Sequence, residues 1–325
     1  MPIISAIICT HNRADLVTLA IQSLFRQTLP AGHFEIIVVN NASTDNTETV
    51  VTRLATQAPK GLTYRCIRES RQGLSHARNA GVAQARGQYV AFLDDDGIAV
   101  PGWLQAFIDT FALSDKIGAV GGPISAIWMK PRPQWISDRL AAYFSVLDLG
   151  TQAHRYCPEK NEWLGGGNLA VLRSFMTNGN QFSTRLGRTG KSLLSNEETH
   201  LLQRIVAQGW EAWYQPAAGI DHHVHAERVN RIWLLRRCFW QGVSNAVMAH
   251  ADRDAARVAE LRPWKGELSL NLRITRELLK DWIRVDLLRR NSRMDQVSRH
   301  AFRLGQTLAE GYLQRQRVAT DFTAG

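Results

Sequence analysis

Three adjacent carboxylates, Asp94, Asp95 and Asp96, directly follow the apolar run Tyr89–Leu93. Neighbouring ionised carboxylates repel one another, so the triplet needs a compensating positive charge close by. A divalent cation bound through oxygen ligands supplies such a charge, and it commonly bridges to phosphate oxygens. The triplet therefore predicts a site for a metal ion and a diphosphate, with an ordinary solvated turn as the alternative.

Two further polar clusters follow apolar runs nearer the N-terminus. Thr10–Arg13 comes after Ile3–Cys9 and offers hydroxyl, amide and guanidinium donors that suit a nucleotide. Asn40–Asp45 comes after Phe34–Val39. A helix N-cap or an Asx turn explains each cluster taken alone. Nucleotide contact becomes the better interpretation only if all three clusters share one edge of a sheet.

The first 110 residues alternate short β-branched runs with stretches that carry apolar residues at helical spacing. Continuous apolar strands separated by helices predict an α/β fold with a parallel sheet covered on both faces. Ligands bind beyond the carboxyl ends of such strands, so the polar clusters should converge. The predicted strands are Ile3–Cys9, Phe34–Val39, Leu62–Ile67 and Tyr89–Leu93, and the predicted helices are Asp15–Phe25, Thr47–Gln57 and Leu74–Ala85.

The remainder of the chain is less regular. A helix is predicted over Trp103–Phe111 and another over Asn196–Gln208, whose first turn is acidic. Ile117–Ile127 reads as one strand with a glycine interruption, and Trp213–Asp221 as one strand that ends at a histidine cluster. Beyond Val229 the pattern is helical almost to the end.

Composition excludes several classes of protein. The chain has 325 residues, of which 45% are hydrophobic, which is ordinary for a globular protein and argues against a disordered chain. No apolar stretch is long enough to span a bilayer, and no cationic segment precedes the apolar N-terminus. The four cysteines are far apart, which favours reduced thiols in a cytoplasmic protein over a disulfide framework or a zinc ribbon.

The net charge of +10 is concentrated in the last hundred residues. Residues 1–225 hold 20 basic and 18 acidic side chains, whereas residues 226–325 hold 19 basic and 11 acidic ones. A basic amphipathic helix is predicted over residues 273–290, and it can dock on the protein, form a homodimer or lie on an anionic membrane. Nucleic acid is not expected as a partner, because the aromatic residues form no stacking platform.

Several strings in order resemble family 2 glycosyltransferases over roughly residues 3–245. They are I-C-T-H-N-R, E-I-I-V-V-N-N-A-S-T-D-N-T, Q-G-L-S-H-A-R-N-A-G, Y-V-A-F-L-D-D-D, W-L-G-G-G-N and N-E-E-T. The resemblance implies a GT-A fold over residues 1–230. About 1–100 would bind the nucleotide, about 101–230 would bind the donor sugar and acceptor, and 231–325 would form a basic helical C-terminal region.

The resemblance also implies roles for residues at matching positions. Asn40 occupies the slot that faces the nucleobase, where many relatives have Asp. His222 would complete the shell of an Mn²⁺ or Mg²⁺ ion, with His223 and His225 as substitutes. The other residues in contact with the nucleotide would be Thr10, Asn12, Arg13, Arg78, Asp94 and Asp95. The metal ligands besides His222 would be Asp94 and Asp96. The donor sugar and the acceptor would contact Gly166, Gly167, Asn168 and Arg236.

A Glu pair would supply the catalytic base. Glu198 is preferred because it stands at the position of the conventional second acid, with Glu197 close behind. Without the resemblance, two acids in the first turn of a helix are explained by the helix dipole. A dedicated zinc site at the histidine cluster is disfavoured, since neither a neighbouring Cys nor an H-E-x-x-H pattern is present.

The resulting expectation is an inverting, metal-dependent glycosyltransferase. It would move a sugar from a nucleotide-diphosphate donor to a glycan or lipid-linked acceptor in cell-surface polysaccharide synthesis. The expected location is the cytoplasm, with peripheral contact at the inner face of the membrane. One alternative is a nucleotidyltransferase that makes a nucleotide sugar, although the G-x-G-T-R-type loop typical of that class is missing after the first strand. The other is a non-catalytic sugar-nucleotide-binding protein, against which the D-x-D pattern and the Glu pair argue.

Overall fold

The computed structural model of the chain describes residues 1–190, 192–251 and 290–321. The chain forms two compact units. The first comprises Met1–Ile127, Ser145–Gly190 and Glu197–His223. The second comprises Trp128–Phe144, residues 192–196 and the described residues from Val224 onward. The second unit thus begins earlier than the predicted boundary at residue 230, and it includes Trp128–Phe144, which lie in the part predicted to bind the donor sugar and acceptor.

Strands form two sheets within the described residues. The larger has eight strands in the order β3-β2-β1-β4-β9-β6-β10-β8, and the smaller has three in the order β5-β11-β7. The strands are β1 (Ile4–Thr10), β2 (Phe34–Asn41), β3 (Thr63–Glu69), β4 (Tyr89–Asp94), β5 (Gly97–Ala99), β6 (Ile117–Gly121), β7 (Ile124–Trp128), β8 (His154–Arg155), β9 (Asn168–Leu172), β10 (Glu211–Tyr214) and β11 (Ile220–Val224).

The parallel sheet predicted from the apolar runs is confirmed for β1 to β4. β1 pairs in parallel with both β2 and β4, and β2 pairs in parallel with β3. β9 then runs antiparallel to both β4 and β6, so the whole sheet is mixed. β10 is parallel to β6, whereas β8 is antiparallel to β10 at the edge.

Helices cover both faces of the larger sheet. On one face, Val17 and Leu24 pack with Trp103 in the same core cluster as the β1 residue Ile8. On the other face, Ala77 and Leu201 pack against a second set of strand residues. The helices of this unit are α1 (Ala14–Phe25), α2 (Thr47–Leu54), α3 (Leu74–Gln84), α4 (Trp103–Phe111), α6 (Arg173–Thr177) and α7 (Glu197–Ala207), while α5 (Asp138–Ala141) belongs to the second unit.

Two predicted strands are wrong in the same way. Ile117–Ile127 is divided into β6 and β7, and Trp213–Asp221 is divided between β10 and β11, so each predicted strand supplies both sheets. The chain leaves the larger sheet at Gly122, where a Cβ would collide with the carbonyl oxygen of Ala218. A close approach of two backbones, which only glycine permits, therefore sets both breaks.

The second unit is built around α8 (Arg231–His250) and α9 (Arg290–Asp321). Asn230 caps α8 by accepting a hydrogen bond from the Trp233 backbone N–H at 2.8 Å. Phe144 stacks on Trp233 with ring centroids 5.0 Å apart. The predicted helical C-terminal region is confirmed for α8 and α9, whereas most of the amphipathic stretch 273–290 lies outside the described residues. None of the described helices is long and apolar enough to cross a membrane.

Candidate active site

The strand register brings the polar clusters to one edge of the larger sheet. Thr10 pairs with Asn40 at the ends of β1 and β2, and Cys9 pairs with Asp94 at the end of β4. Thr10 and Asn40 are both only 2% exposed. The convergence predicted from the carboxyl ends of parallel strands is thus observed.

Arg13 neutralises two of the three adjacent carboxylates. Its Nη1 donates to Asp95 Oδ1 at 2.9 Å and to Asp96 Oδ2 at 2.7 Å. Burial raises the pKa of the Asp95 carboxyl above its ordinary value, and the nearby Arg13 charge opposes that rise. The compensating charge that the sequence predicts is therefore supplied partly by the protein itself.

One histidine of the cluster faces this acidic group. His222 Nε2 lies 3.3 Å from Asp96 Oδ1, and both side chains are about nine-tenths or more buried. His223 instead anchors the backbone, since its own N–H donates to the Asp96 carbonyl at 2.9 Å. His225 belongs to the second unit, where its Nδ1 lies 3.6 Å from Glu227 Oε1. Of the three alternatives, His222 is the one whose ring nitrogen meets an aspartate side chain.

These side chains suit a divalent cation that prefers oxygen and imidazole ligands. Asp94 remains 40% exposed at the strand end, and the Nδ1 of His222 is buried with no hydrogen-bond partner in the part of the chain that the structure describes. Within residues 1–190, 192–251 and 290–321, no group of three or more His, Cys, Asp or Glu side chains already has the arrangement of a metal site. Arg13 bonds Asp96 through Oδ2, whereas His222 lies beside Oδ1, so a cation at this edge would share the Asp96 carboxylate with Arg13.

The predicted nucleotide contacts Asn12 and Asn40 hold the two neighbouring loops together. Asn12 has a φ of 53°, and its Oδ1 accepts a hydrogen bond from the Thr44 N–H at 2.7 Å. Asn40 accepts from the Ser43 N–H at 3.1 Å and donates to Glu48 Oε2 at 3.3 Å. Both amides therefore shape the edge of the site in addition to any contact with a nucleotide.

A second set of side chains at this edge was not predicted. His11 Nδ1 lies 2.7 Å from the Asn41 carbonyl, so this nitrogen must carry the proton, and Nε2 can accept from Gln72 Nε2 at 3.1 Å. Asn41 accepts from the Gly73 N–H at 2.8 Å and donates to the Glu69 and Arg71 carbonyls. The paired asparagines at the end of β2 are the signal in the sequence that could have indicated a role for Asn41 beside Asn40.

A buried arginine joins the acidic strand end to the first turn of α7. Arg78 Nη1 donates to Glu197 Oε1 at 2.8 Å, and its Nη2 donates to Asp94 Oδ1 at 3.3 Å. The guanidinium carbon lies 5.3 Å from the ring centroid of Phe182 and 5.8 Å from that of Phe92. Arg78 thus brings together two predicted site residues that are far apart in sequence.

The glycine turn before β9 is packed against these charges. A Cβ on Gly166 would lie 2.9 Å from Arg78 Nη1, and a Cβ on Gly167 would collide with the Asp94 carboxylate. The protein's own side chains therefore leave no room for a Cβ at either glycine. Asn168 is fully buried and bonds to Trp103, Pro123 and Ala218, so its side chain fixes the turn to the sheets and is not free to meet a sugar.

The two glutamates of α7 have different surroundings. The Glu197 side chain is 5% exposed and paired with Arg78, whereas Glu198 is half-buried. The Glu198 Cβ lies 3.1 Å from the place where a Gly166 Cβ would stand. Arg236, predicted to contact the donor sugar or the acceptor, lies on α8 in the second unit.

Known proteins with similar sequences act in glycan assembly. The chain is 25% identical over 248 residues to the glucosyl-dolichyl phosphate glucuronosyltransferase of Haloferax volcanii, covering 75% of this chain and 77% of the relative. It is 26% identical over 258 residues to the succinoglycan biosynthesis protein ExoM of Rhizobium meliloti, covering 78% of each.

The fold is shared with a solved glycosyltransferase. The mannosyltransferase PcManGT from Pyrobaculum calidifontis, in complex with GDP-Man and Mn²⁺, superposes with a TM-score of 0.56 and 22% sequence identity. The match covers 98% of this chain and 86% of that one. Residues 5–176, more than half of the chain, match the sequence profile of Glycosyl transferase family 2. The strand-end carboxylates, the glycine turn and the acidic start of α7 all lie in a GT-A fold, and the chain belongs to glycosyltransferase family 2.

Proposed function

We propose that this glycosyltransferase is metal-dependent and inverting, and that it moves a sugar from a nucleotide-diphosphate donor to a hydroxyl of a glycan or lipid-linked acceptor. The names of its relatives support the acceptor class, since one acts on a glucosyl-dolichyl phosphate and another serves succinoglycan synthesis. The similar mannosyltransferase structure holds GDP-Man and Mn²⁺.

One observation carries the proposal: the turn Gly166–Gly167 lies between the acidic strand end and the first turn of α7. Its second glycine abuts the Asp94 carboxylate, and its first abuts the Cβ of Glu198. A diphosphate at the end of β4 and a base at the start of α7 would thus lie on either side of the short segment Gly166–Gly167. That is the arrangement a direct displacement at a sugar carbon needs.

Asp94, Asp96 and His222 are the residues that would hold the metal. When bound, a divalent cation neutralises the charge that develops on the departing diphosphate. Arg13 contributes a fixed positive charge at the same edge, because its Nη1 spans Asp95 and Asp96. Thr10, Asn40 and the loops that Asn12 ties together would shape the nucleotide site.

Glu198 is proposed as the general base. It would take the proton of the acceptor hydroxyl while that oxygen forms a bond to the anomeric carbon. The bond from the anomeric carbon to the phosphate oxygen breaks, and its electron pair leaves with the nucleoside diphosphate. Attack from the face opposite the leaving group inverts the anomeric configuration.

The variant Glu198→Gln tests this role. We expect kcat to fall by about 10²–10⁴-fold, the usual contribution of a positioned general base. The assay measures nucleoside diphosphate released from a panel of nucleotide sugars with Mn²⁺ and candidate acceptors. The exposed Glu159 offers a matched control, Glu159→Gln, which should keep full activity.

Full activity in Glu198→Gln would overturn the assignment of the base. Release of pyrophosphate, and not of a nucleoside diphosphate, would mark a nucleotidyltransferase. A product with retained anomeric configuration by proton NMR would refute the inverting mechanism. Activity that survives a metal chelator in full would refute the metal requirement.

Peripheral membrane contact is part of the proposal, because a lipid-linked acceptor lies at a bilayer surface. Residues 226–325 carry 19 basic and 11 acidic side chains, which favours an anionic lipid surface. Vesicles with and without anionic lipid test this contact by co-sedimentation at low and high salt. Protein that stays in the supernatant at low salt would exclude it. A dimer through the C-terminal helices, the other expectation, would appear in light scattering.

A further inference from the structure

Arg78 lies in a closed environment in which both of its binding partners are carboxylates. Its side chain is 3% exposed, and that of its partner Glu197 is 5% exposed. The guanidinium also contacts the faces of Phe92 and Phe182, where a cation is favoured over aromatic carbon. A guanidinium keeps its charge at every physiological pH, so burial is tolerated only while the carboxylates remain in place.

Glu197 is poorly placed to accept a proton from a substrate. One of its oxygens is bonded to Arg78 at 2.8 Å, and the other, Oε2, is buried and has no hydrogen-bond partner among the described residues. Gly187 lies close to the same oxygen, since a Cβ at this position would be 3.4 Å from it. Glu198, the next residue, is half-buried and borders the glycine turn. The two acids of the pair therefore have separate tasks.

The position of the Asp94 carboxylate is fixed from two sides. Arg78 Nη2 bonds its Oδ1 at 3.3 Å, and the backbone of Gly167 leaves no space on the opposite side for a Cβ. The Asp94 N–H also donates to the Gly167 carbonyl at 3.2 Å. The carboxylate at the entrance of the metal and diphosphate site is thus oriented by a charge that Glu197 holds from behind.

We propose that Glu197 is a positioning residue, which acts through Arg78 to orient and charge-balance Asp94 for the metal and the diphosphate. Asp94 and Glu197 share the guanidinium of Arg78, so the three side chains together keep a net charge of −1 that can attract a metal ion. Without the Glu197 charge, Asp94 would be the only carboxylate bonded to this buried cation, and its oxygens would attract a metal ion less. The inference rests on the proposed metal-dependent function.

Mn²⁺ alone, titrated into the full-length protein and followed by the loss of its free-ion EPR signal, tests this inference. Glu197→Gln keeps the size of the side chain and an acceptor for Arg78 but removes the charge. Residues that orient metal ligands typically change metal affinity by 10–100-fold when they are replaced, and we expect Mn²⁺ affinity to fall by about that much. Glu198→Gln should bind Mn²⁺ like the wild type and lose kcat instead.

Glu35 gives a matched control for the loss of a buried, arginine-paired carboxylate. It is fully buried, and Arg65 Nη2 donates to its Oε2 at 2.7 Å, away from the carboxyl ends of the strands. Glu35→Gln should therefore leave Mn²⁺ affinity unchanged even if it lowers Tm. Arg78→Lys should weaken Mn²⁺ binding as Glu197→Gln does, and the double variant should be no weaker than either alone.

The outcomes separate this inference from the function on which it rests. Wild-type protein that takes up no Mn²⁺ would refute the metal site and both proposals together. Equal Mn²⁺ affinity in wild type and Glu197→Gln would refute the positioning role alone. A Glu197→Gln variant with normal Mn²⁺ affinity, unchanged KM and a lost kcat would make Glu197 the base. Losses of Mn²⁺ affinity that add fully in the double variant would also overturn a role of Glu197 that acts through Arg78.

Discussion

Each of the three adjacent carboxylates has an arginine partner. Arg78 bonds Asp94, and Arg13 bonds both Asp95 and Asp96. The repulsion that the sequence predicts is therefore relieved within the folded chain by two guanidinium groups.

Replacement of Gly167 tests how tightly this arrangement is packed. In Gly167→Ala the new Cβ would collide with the Asp94 carboxylate, which must then rotate away from Arg78. We expect a stability loss of roughly 1–3 kcal/mol, as for other overpacked sites, together with weaker donor binding. Thermal unfolding and nucleotide release measure the two effects. Gly102→Ala is the control, since its Cβ position has no described atom within 4 Å apart from its chain neighbours.

A variant Gly167→Ala as stable and as active as Gly102→Ala would contradict this interpretation. The glycine would then not be required by the position of Asp94.

Glu69, the last residue of β3, should make the stability of the fold depend on pH. Hydrogen bonds from Arg71 hold its pKa at about 2, below the ordinary value of 4.5. A carboxyl whose pKa is lower in the folded state stabilises the fold above pH 4.5 and loses that contribution as the pH falls towards 2. Wild type should therefore exceed Glu69→Gln in stability at pH 6, and the difference should shrink between pH 4.5 and 2. Urea unfolding across this range measures it, and a constant difference would contradict the assignment.

At the scale of elements, α8 and α9 approach so closely that their backbones touch. A Cβ on Gly242 would collide with the Phe302 carbonyl oxygen, and a Cβ on Gly305 would collide with that of Phe239. The two glycines lie on opposite helices, so each makes room for the backbone of the other. The contact joins two helices that are distant in sequence, since α8 ends at His250 and α9 begins at Arg290.

Alanine at either position should separate the helices. Gly242→Ala and Gly305→Ala are each expected to destabilise the second unit by roughly 1–3 kcal/mol. In Gly311→Ala, on the same helix α9, the new Cβ would lie more than 4 Å from every described atom beyond its own stretch of helix, and the change should instead stabilise the helix by about 0.5–1 kcal/mol. Chemical denaturation followed by circular dichroism compares the three. Equal effects at positions 305 and 311 would refute the close approach.

At the scale of the whole molecule, the charge divides along the chain. Residues 1–225 are nearly neutral with 20 basic and 18 acidic side chains, and residues 226–325 carry the excess. The acidic edge with its arginines belongs to the first unit, whereas α8 and α9 belong to the second. The excess positive charge therefore lies in the C-terminal part of the sequence, whereas the acidic strand end is balanced by local pairs with Arg13 and Arg78.

Cysteine labelling can follow the second unit separately. Cys238 on α8 is fully buried, and burial raises the pKa of its thiol to about 11, whereas Cys66 on β3 is exposed. Iodoacetamide at pH 8 should label Cys66 in the native protein and leave Cys238 unmodified, because the thiolate is the reactive form. Gly305→Ala should speed labelling of Cys238 and leave that of Cys66 unchanged by mass spectrometry. Equal labelling of both thiols in the wild type would contradict the burial of Cys238.

Local pattern was enough to predict the parallel strands and the acidic edge. The runs Ile3–Cys9, Phe34–Val39 and Tyr89–Leu93 are largely apolar, which is typical of parallel strands buried on both faces. Because the polar clusters follow directly in sequence, the edge of the sheet follows from the strands. The boundaries of β6, β7, β10 and β11 could not be predicted, because the contact of Gly122 with Ala218 joins segments that carry no local signal for it.

The sequence by itself determined the strand-end carboxylates, the glycine turn and the acidic start of α7, since residue type and short-range spacing specify them. Only the tertiary structure decided how these parts share charge. Arg78 and Glu197 are 119 residues apart, and their pairing depends on α3 and α7 packing on the same face of the sheet. The different surroundings of Glu197 and Glu198 follow from that packing, because burial and a bonded guanidinium separate two side chains that the sequence presents as equals.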